Sequence, residues 1–172
     1  MNAEQAKFLT EFFAGMIERE SATTAKVLAA VPDSGRDYKP DPKSRSAWEL
    51  ATHLAASDVW FLQSILDGAF VYSEDGEKQA MAPIKNVNDL VAFYKRELPP
   101  RLAALRTLPP EKLTQVVDFF GVMQQPNATY LGFANNHSLH HRGQLASYLR
   151  SMGSKVPPIY GDSADYPMQA TA

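Results

Sequence analysis

The sequence predicts an all-α fold, a four-helix bundle. Three observations carry that expectation. Four stretches of 17 to 28 residues carry apolar side chains at three- and four-residue spacings. Prolines, glycines and capping residues punctuate the boundaries between them. Each stretch has one apolar face, which in a chain of this size is buried most economically against the other three. With 172 residues, 45% apolar and 21% charged, the chain is expected to form one domain over residues 1–172. Such a chain buries about 70% of its unfolded surface without a staple.

The first helix is read over Ala3 to Ala30, with Phe8, Leu9, Phe12, Phe13, Met16 and Ile17 as its apolar stripe. Pro32 and Gly35 stop it, and the charged, proline-containing run Asp33 to Arg45 follows as an exposed loop. Ser46 and Glu49 then form a capping-box pattern ahead of "LATHLAASDVWFLQSIL", a second helix ending near Gly68. Leu50, His53, Leu54, Ser57, Trp60, Phe61 and Ser64 lie on or beside one stripe of it, so His53 points inward.

Gly68 to Asn86 reads as a long connection in which Val71 and Tyr72 extend locally. A third helix starts at Asn88 as N-cap and meets Pro99-Pro100. A proline inside a helix removes a ladder bond and clashes with the preceding turn, so a kink or break is expected there, with helix resuming to Pro109-Pro110. Gln115 to Met123 reads as a short strand or extended connector. The fourth helix runs from about Asn127 to Gly153, a good C′ residue, with Tyr130, Ala134, His137, His141, Leu145 and Tyr148 on one stripe. An irregular tail, Lys155 to Ala172, completes the chain; there is no internal repeat.

Composition excludes several functions. Net charge is −2, so no electrostatic footprint for nucleic acid is present. There is no cysteine, hence no disulfide framework, no thiolate zinc ligand and no cysteine nucleophile. Charges at Glu4, Lys7 and Glu11 interrupt any signal-peptide pattern, and no run is long and apolar enough to span a membrane, so the cytoplasm is the expected address.

Three of the four histidines fall within "HSLHH", and the fourth, His53, lies on another helix. Residues four apart on a helix are offset by about 40° and about 6 Å, so His137 and His141 can aim at one ion with His53. Three imidazoles form a facial set that leaves coordination positions open. Burying three rings with no partner costs free energy for each, which argues against simple packing. His140, offset by about 60° from His137 the other way, competes for the same role. The stripe slightly favours His141.

"HSLHHRGQLASYLRSMG" with "VPPIYGDSADYP", together with "SRSAWELATHLAASDVWFL", resembles the closing and second helices of the DinB family of metalloenzyme-like proteins, over about Glu4 to Tyr166. The resemblance implies an up-down-down-up bundle, often a homodimer, with His53, His137 and His141 as ligands of a divalent metal, commonly zinc or nickel. It also implies a possible thiol-dependent S-transferase acting with a low-molecular-weight thiol, or another metal-dependent transferase or hydrolase. The alternative it leaves is a non-catalytic metal-binding or stress-associated protein.

Other pocket candidates each carry two readings. Trp60 and Tyr148 line a cavity or simply fill core. Glu49 orients His53 or caps its helix. Arg142 binds an anionic group or pairs with a carboxylate. Gly143 permits a close helix contact.

Overall fold

The computed structural model describes residues 1–168; the last four residues of the expected irregular tail lie outside them. Among the described residues there are six α-helices and one two-stranded sheet: α1 (Ala3–Ala29), α2 (Ala47–Asp67), α3 (Glu74–Met81), α4 (Val87–Arg106), α5 (Pro110–Thr114), β1 (Val116–Phe119), β2 (Met123–Pro126) and α6 (Tyr130–Leu149). No described helix is long and apolar enough to cross a membrane.

The four long helices pack around one core, α1 against α4 and α6, and α2 against the same two. α1 and α2, though consecutive, therefore stand diagonally, which is why a long loop must join them. Side-chain bonds give the directions. Asn127 Nδ2 donates to Ile65 O at 2.7 Å and Ser138 Oγ to Asp58 at 2.8 Å, so α2 and α6 run antiparallel. Arg142 bonds Glu20 and Ser154 bonds the Ala30 carbonyl, so α1 and α6 run parallel. Arg106 bonds Glu18 while the Val87 N–H donates to Asp33, so α1 and α4 run antiparallel.

Local chemistry sets the boundaries. The Ser46–Glu49 capping box closes as expected, with Ser46 N–H donating to Glu49 at 2.7 Å and Glu49 N–H to Ser46 Oγ at 3.1 Å. Gly68 ends α2 at φ +72°, a conformation open to glycine. α4 is capped by Asn86, whose side chain accepts from Asp89 N–H, two residues before the expected Asn88. Short α3 and α5, and the second strand, were not expected. α3 and α5 are eight and five residues long, with an N-cap serine (Ser73) and an N1 proline (Pro110) as their only signals.

Two expectations are corrected. The apolar stripe of α1 does not face the core throughout: Phe8 is 68% and Phe12 50% exposed, while Ala6, Thr10, Ala14, Ile17, Thr24, Val27 and Leu28 are buried. Small residues let α1 approach its neighbours closely, and the bulky rings are left outside. Nor does Pro99-Pro100 break the third helix, for α4 continues through both. Both prolines are exposed, as are Lys95 and Arg96, whose carbonyls lose their ladder donors. Water can satisfy those carbonyls, and Leu98 and Leu102 keep their places in the core.

If exposure is what makes the prolines tolerable, alanine at either position should restore a ladder bond without disturbing packing. Pro99→Ala and Pro100→Ala are expected to raise unfolding free energy in urea by about 1–3 kcal/mol each. Unchanged or lower midpoints would mean that the helix is interrupted there after all.

Candidate metal centre

The antiparallel register of α2 and α6 brings His53 opposite His137 and His141. The three rings offer ligand nitrogens that all lie within 4.8 Å of one another. Ring centroids are 4.4 Å apart for His137–His141, 4.7 Å for His53–His141 and 5.3 Å for His53–His137. His140 is exposed and stands outside the group, its ring 4.9 Å from that of His141.

The Nδ1 atoms of the three rings are partly engaged. His141 Nδ1 lies 2.8 Å from Gln144 Oε1, and His53 Nδ1 lies 3.3 Å from Ser57 Oγ. A proton donated to Gln144 from Nδ1 leaves the lone pair of His141 on Nε2. Such outer partners orient metal-binding imidazoles in general. His137 Nδ1 is buried and has no hydrogen-bond partner.

Burial makes the rings reluctant bases. His53 is depressed to about 4, first by loss of hydration, then by repulsion from Arg45, His141 and His137. His137 is likewise depressed to about 4 by burial, with His141, His140 and Arg45 adding repulsion. His141 is lowered chiefly by burial, against which the Gln144 contact acts in the opposite direction. The Arg45 charge thus acts in the same direction on all three. At neutral pH the rings are uncharged, the state in which imidazole ligates a metal. Three neutral nitrogens on a two-helix face fit a divalent cation that accepts nitrogen, zinc and nickel among them.

The other candidates separate. Glu49 belongs to the cap and lies 3.5 Å from Lys39; no bond reaches His53. Arg142 is only 2% exposed and turns away from the imidazoles, bonding Glu20 at 2.6 Å and the Tyr160 hydroxyl at 2.7 Å, so the carboxylate reading holds. Gly143 is exposed with nothing near where a side chain would stand, so the close helix contact expected there is absent. The close approach occurs at Gly132, where an added Cβ would lie 3.0 Å from the Phe13 ring. Tyr148 packs edge-on against Tyr38, and Trp60 joins a group of aromatic rings with its Nε1 donating to Val71 O at 2.9 Å.

Sequence reasoning missed two features. Asp58, 5% exposed, accepts from Tyr94 and Ser138 hydroxyls at 2.8 Å each, and burial pushes its carboxyl up to about 7. An acidic residue between Leu54 and Leu62 on a buried stripe was the available signal. The other feature is the β1–β2 hairpin, which carries Phe119 and Phe120 toward α2.

Stability should report these shifts. Between pH 6.5 and about 4 the unfolded chain takes up protons that folded His53 and His137 refuse, so the chelator-treated protein loses stability as pH falls. Asp58 works oppositely, holding a proton from about pH 7 that the unfolded chain releases. The contrast with His53→Gln isolates the imidazole part. The variant is expected to lose less stability than the parent between pH 7 and 5 in denaturant titrations; parallel curves would contradict the burial of His53.

Comparison with known proteins finds relatives over most of the chain. The DinB family profile matches residues 5–170. The chain is 40% identical over 153 residues to the uncharacterized protein YrdA of Bacillus subtilis (strain 168), covering 86% of each chain. It is 28% identical over 125 residues to the uncharacterized protein YjoA of the same organism, covering 72% of this chain and 77% of that one. The crystal structure of the DinB-like YjoA superposes with a TM-score of 0.66 at 26% identity, over 86% of this chain and 96% of that one. A DinB-like protein from Bacillus cereus ATCC 10987 superposes with 0.70 at 25% identity, over 87% and 97%. With the family pattern spanning nearly its whole length and this fold beneath it, the chain belongs to the DinB family.

Proposed function

We propose that the protein is a divalent-metal-dependent enzyme, a thiol-dependent S-transferase built on an up-down-down-up four-helix bundle. The observation that carries the reading is the convergence of His53, His137 and His141 from two helices. A bound zinc or nickel ion would supply Lewis acidity, lowering the pKa of a thiol or water. The chain's own residues do the rest. The three imidazoles would hold the ion in their neutral state, Gln144 orients His141, and the Phe61 ring packs against one side of His137. A chain without cysteine must borrow its thiol, which suits a low-molecular-weight thiol as co-substrate. The helix directions described above support the bundle order.

Elemental analysis of tag-free protein purified without added metal is expected to give about one divalent ion per chain, lost in His53→Ala and His141→Ala. A screen of low-molecular-weight thiols against electrophiles should then find a turnover that His137→Ala abolishes. Metal without turnover, or equal rates in His137→Ala, would leave a non-catalytic metal-binding protein. No metal and no uptake of added zinc or nickel would remove the reading altogether.

The same reading includes a homodimer formed through α1. Phe8 and Phe12 stack at 6.2 Å on the outer face of that helix, beside exposed Met1, and an exposed apolar stripe of this kind favours a partner surface. Sedimentation is expected to give twice the 19.0 kDa chain mass for the parent and one chain mass for the Phe8→Glu, Phe12→Glu double variant. A monomeric parent would exclude the dimer.

A further inference from the structure

A continuous aromatic wall stands beside the imidazoles. The Phe61 ring lies 5.1 Å from that of His137 and stacks on Phe119 at 6.2 Å with a 10° tilt. Phe133 meets both edge-on, at 5.5 and 5.3 Å. Trp60 and Phe120 lie nearly parallel, 12° apart at 6.2 Å. Packing accounts for Phe61, which is buried, but not for Phe120, which keeps 52% of its surface exposed.

The backbone at Phe120 makes the choice of residue more informative. Phe120 and Gly121 form the hairpin turn with φ +53° and +70°, and Phe120 is the one non-glycine residue with positive φ among the described residues. Glycine, asparagine and aspartate adopt that conformation readily; a bulky aromatic does so at a cost. A half-exposed phenylalanine at a strained turn, stacked over Trp60, points to a role outside the core. Arg45, exposed and without a salt bridge among the described residues, acts electrostatically on His53, His137 and His141 and also on Tyr72, whose ring meets that of Trp60 edge-on at 6.4 Å.

We infer that this wall and Arg45 form the subsite for a co-substrate with a flat aromatic body and a carboxylate, with Phe120 as the specificity-determining residue. The ring body lies along Trp60, Phe120 and Phe133, and the guanidinium meets the carboxylate, a charge-assisted pairing. This deepens the reading of the three-histidine site as an enzyme's centre and rests on it, but the binding step requires no metal.

The test uses the full chain, chelator-treated, with 2-naphthoate as probe at pH 7.5. Binding is followed by the Trp60 indole N–H in NMR spectra, assigned with Trp48→Phe. Phe120→Asn and Phe120→Gly keep a turn that accepts positive φ and remove the ring. Each is expected to weaken binding at least tenfold while melting no lower than the parent. Arg45→Gln should weaken 2-naphthoate at least tenfold and leave neutral 2-naphthylmethanol within about twofold. No binding by the parent, undiminished binding by both Phe120 variants, or equal binding of the two probes would overturn the inference. So would a change of sedimenting mass in Phe120→Asn, which would assign the ring to a contact between copies. Metal analysis of a portion of each preparation set aside before chelator treatment keeps the outcomes apart: a chain that binds metal but not naphthoate fails here alone.

Discussion

The antiparallel register of α2 against α6 is the constraint on which the rest of the structure depends. It is set at three depths. Asn127 reaches the Ile65 carbonyl at one end, Ser138 bonds Asp58 midway, and the imidazoles meet at the other end. A helix turns about 100° per residue, so neighbours on α6 serve different partners. His137 and His141 face His53, while Ser138 and Arg142 turn into the interior toward α1 and α4. Slipping α6 by one residue would exchange these two sets and lose both.

The interior set is polar where a simple bundle would be apolar. Asp58 ties α2 to α4 through Tyr94 and to α6 through Ser138. Arg142 ties α6 to α1 through Glu20 and to the tail through Tyr160. Taking a guanidinium and a carboxylate out of water is costly, and the ion pair need not repay that cost in stability. What these groups provide is selectivity among packings: each has hydrogen-bonding needs that only one register meets. On the other face of α6 the imidazoles are only partly buried, and that burial lowers their basicity.

The aromatic hairpin brings a different kind of order. Its strands are four residues each and could not hold alone. Tyr130 supports them by donating to Val117 O at 2.8 Å, and Asp118 accepts from the Gly121 N–H to brace the turn. The support comes from α6, the same helix that carries two of the three clustered histidines. The aromatic wall and the imidazoles therefore share α2 and α6 as their supports.

Much of this was legible in the residues themselves. Helical period, the Ser46–Glu49 box and Gly68 located the ends of α1, α2 and α4 to within two residues, because capping and periodicity act over a single turn; α6 is flanked by 3-10 turns at Asn127–Thr129 and Arg150–Met152, so its α-helical part is three to four residues shorter at each end than the expected span from Asn127 to Gly153. The i, i+4 spacing of His137 and His141 put two rings on one face by geometry alone. What the tertiary structure decided was every question of partnership. Phe8 and Phe12 fall on a helical stripe, yet small residues beside them won the core because close helix approach favours them. Pro99 and Pro100 are tolerated because they face water, which no local pattern states. Asp58 and the hairpin drew their meaning from residues 80 and 60 positions away in the chain. The sequence by itself determined the four long helical segments and the i, i+4 spacing of His137 and His141; the packing of those segments decided that His141 rather than His140 meets His53 and which polar groups are buried together, since burial is a property of neighbours that the chain brings from afar.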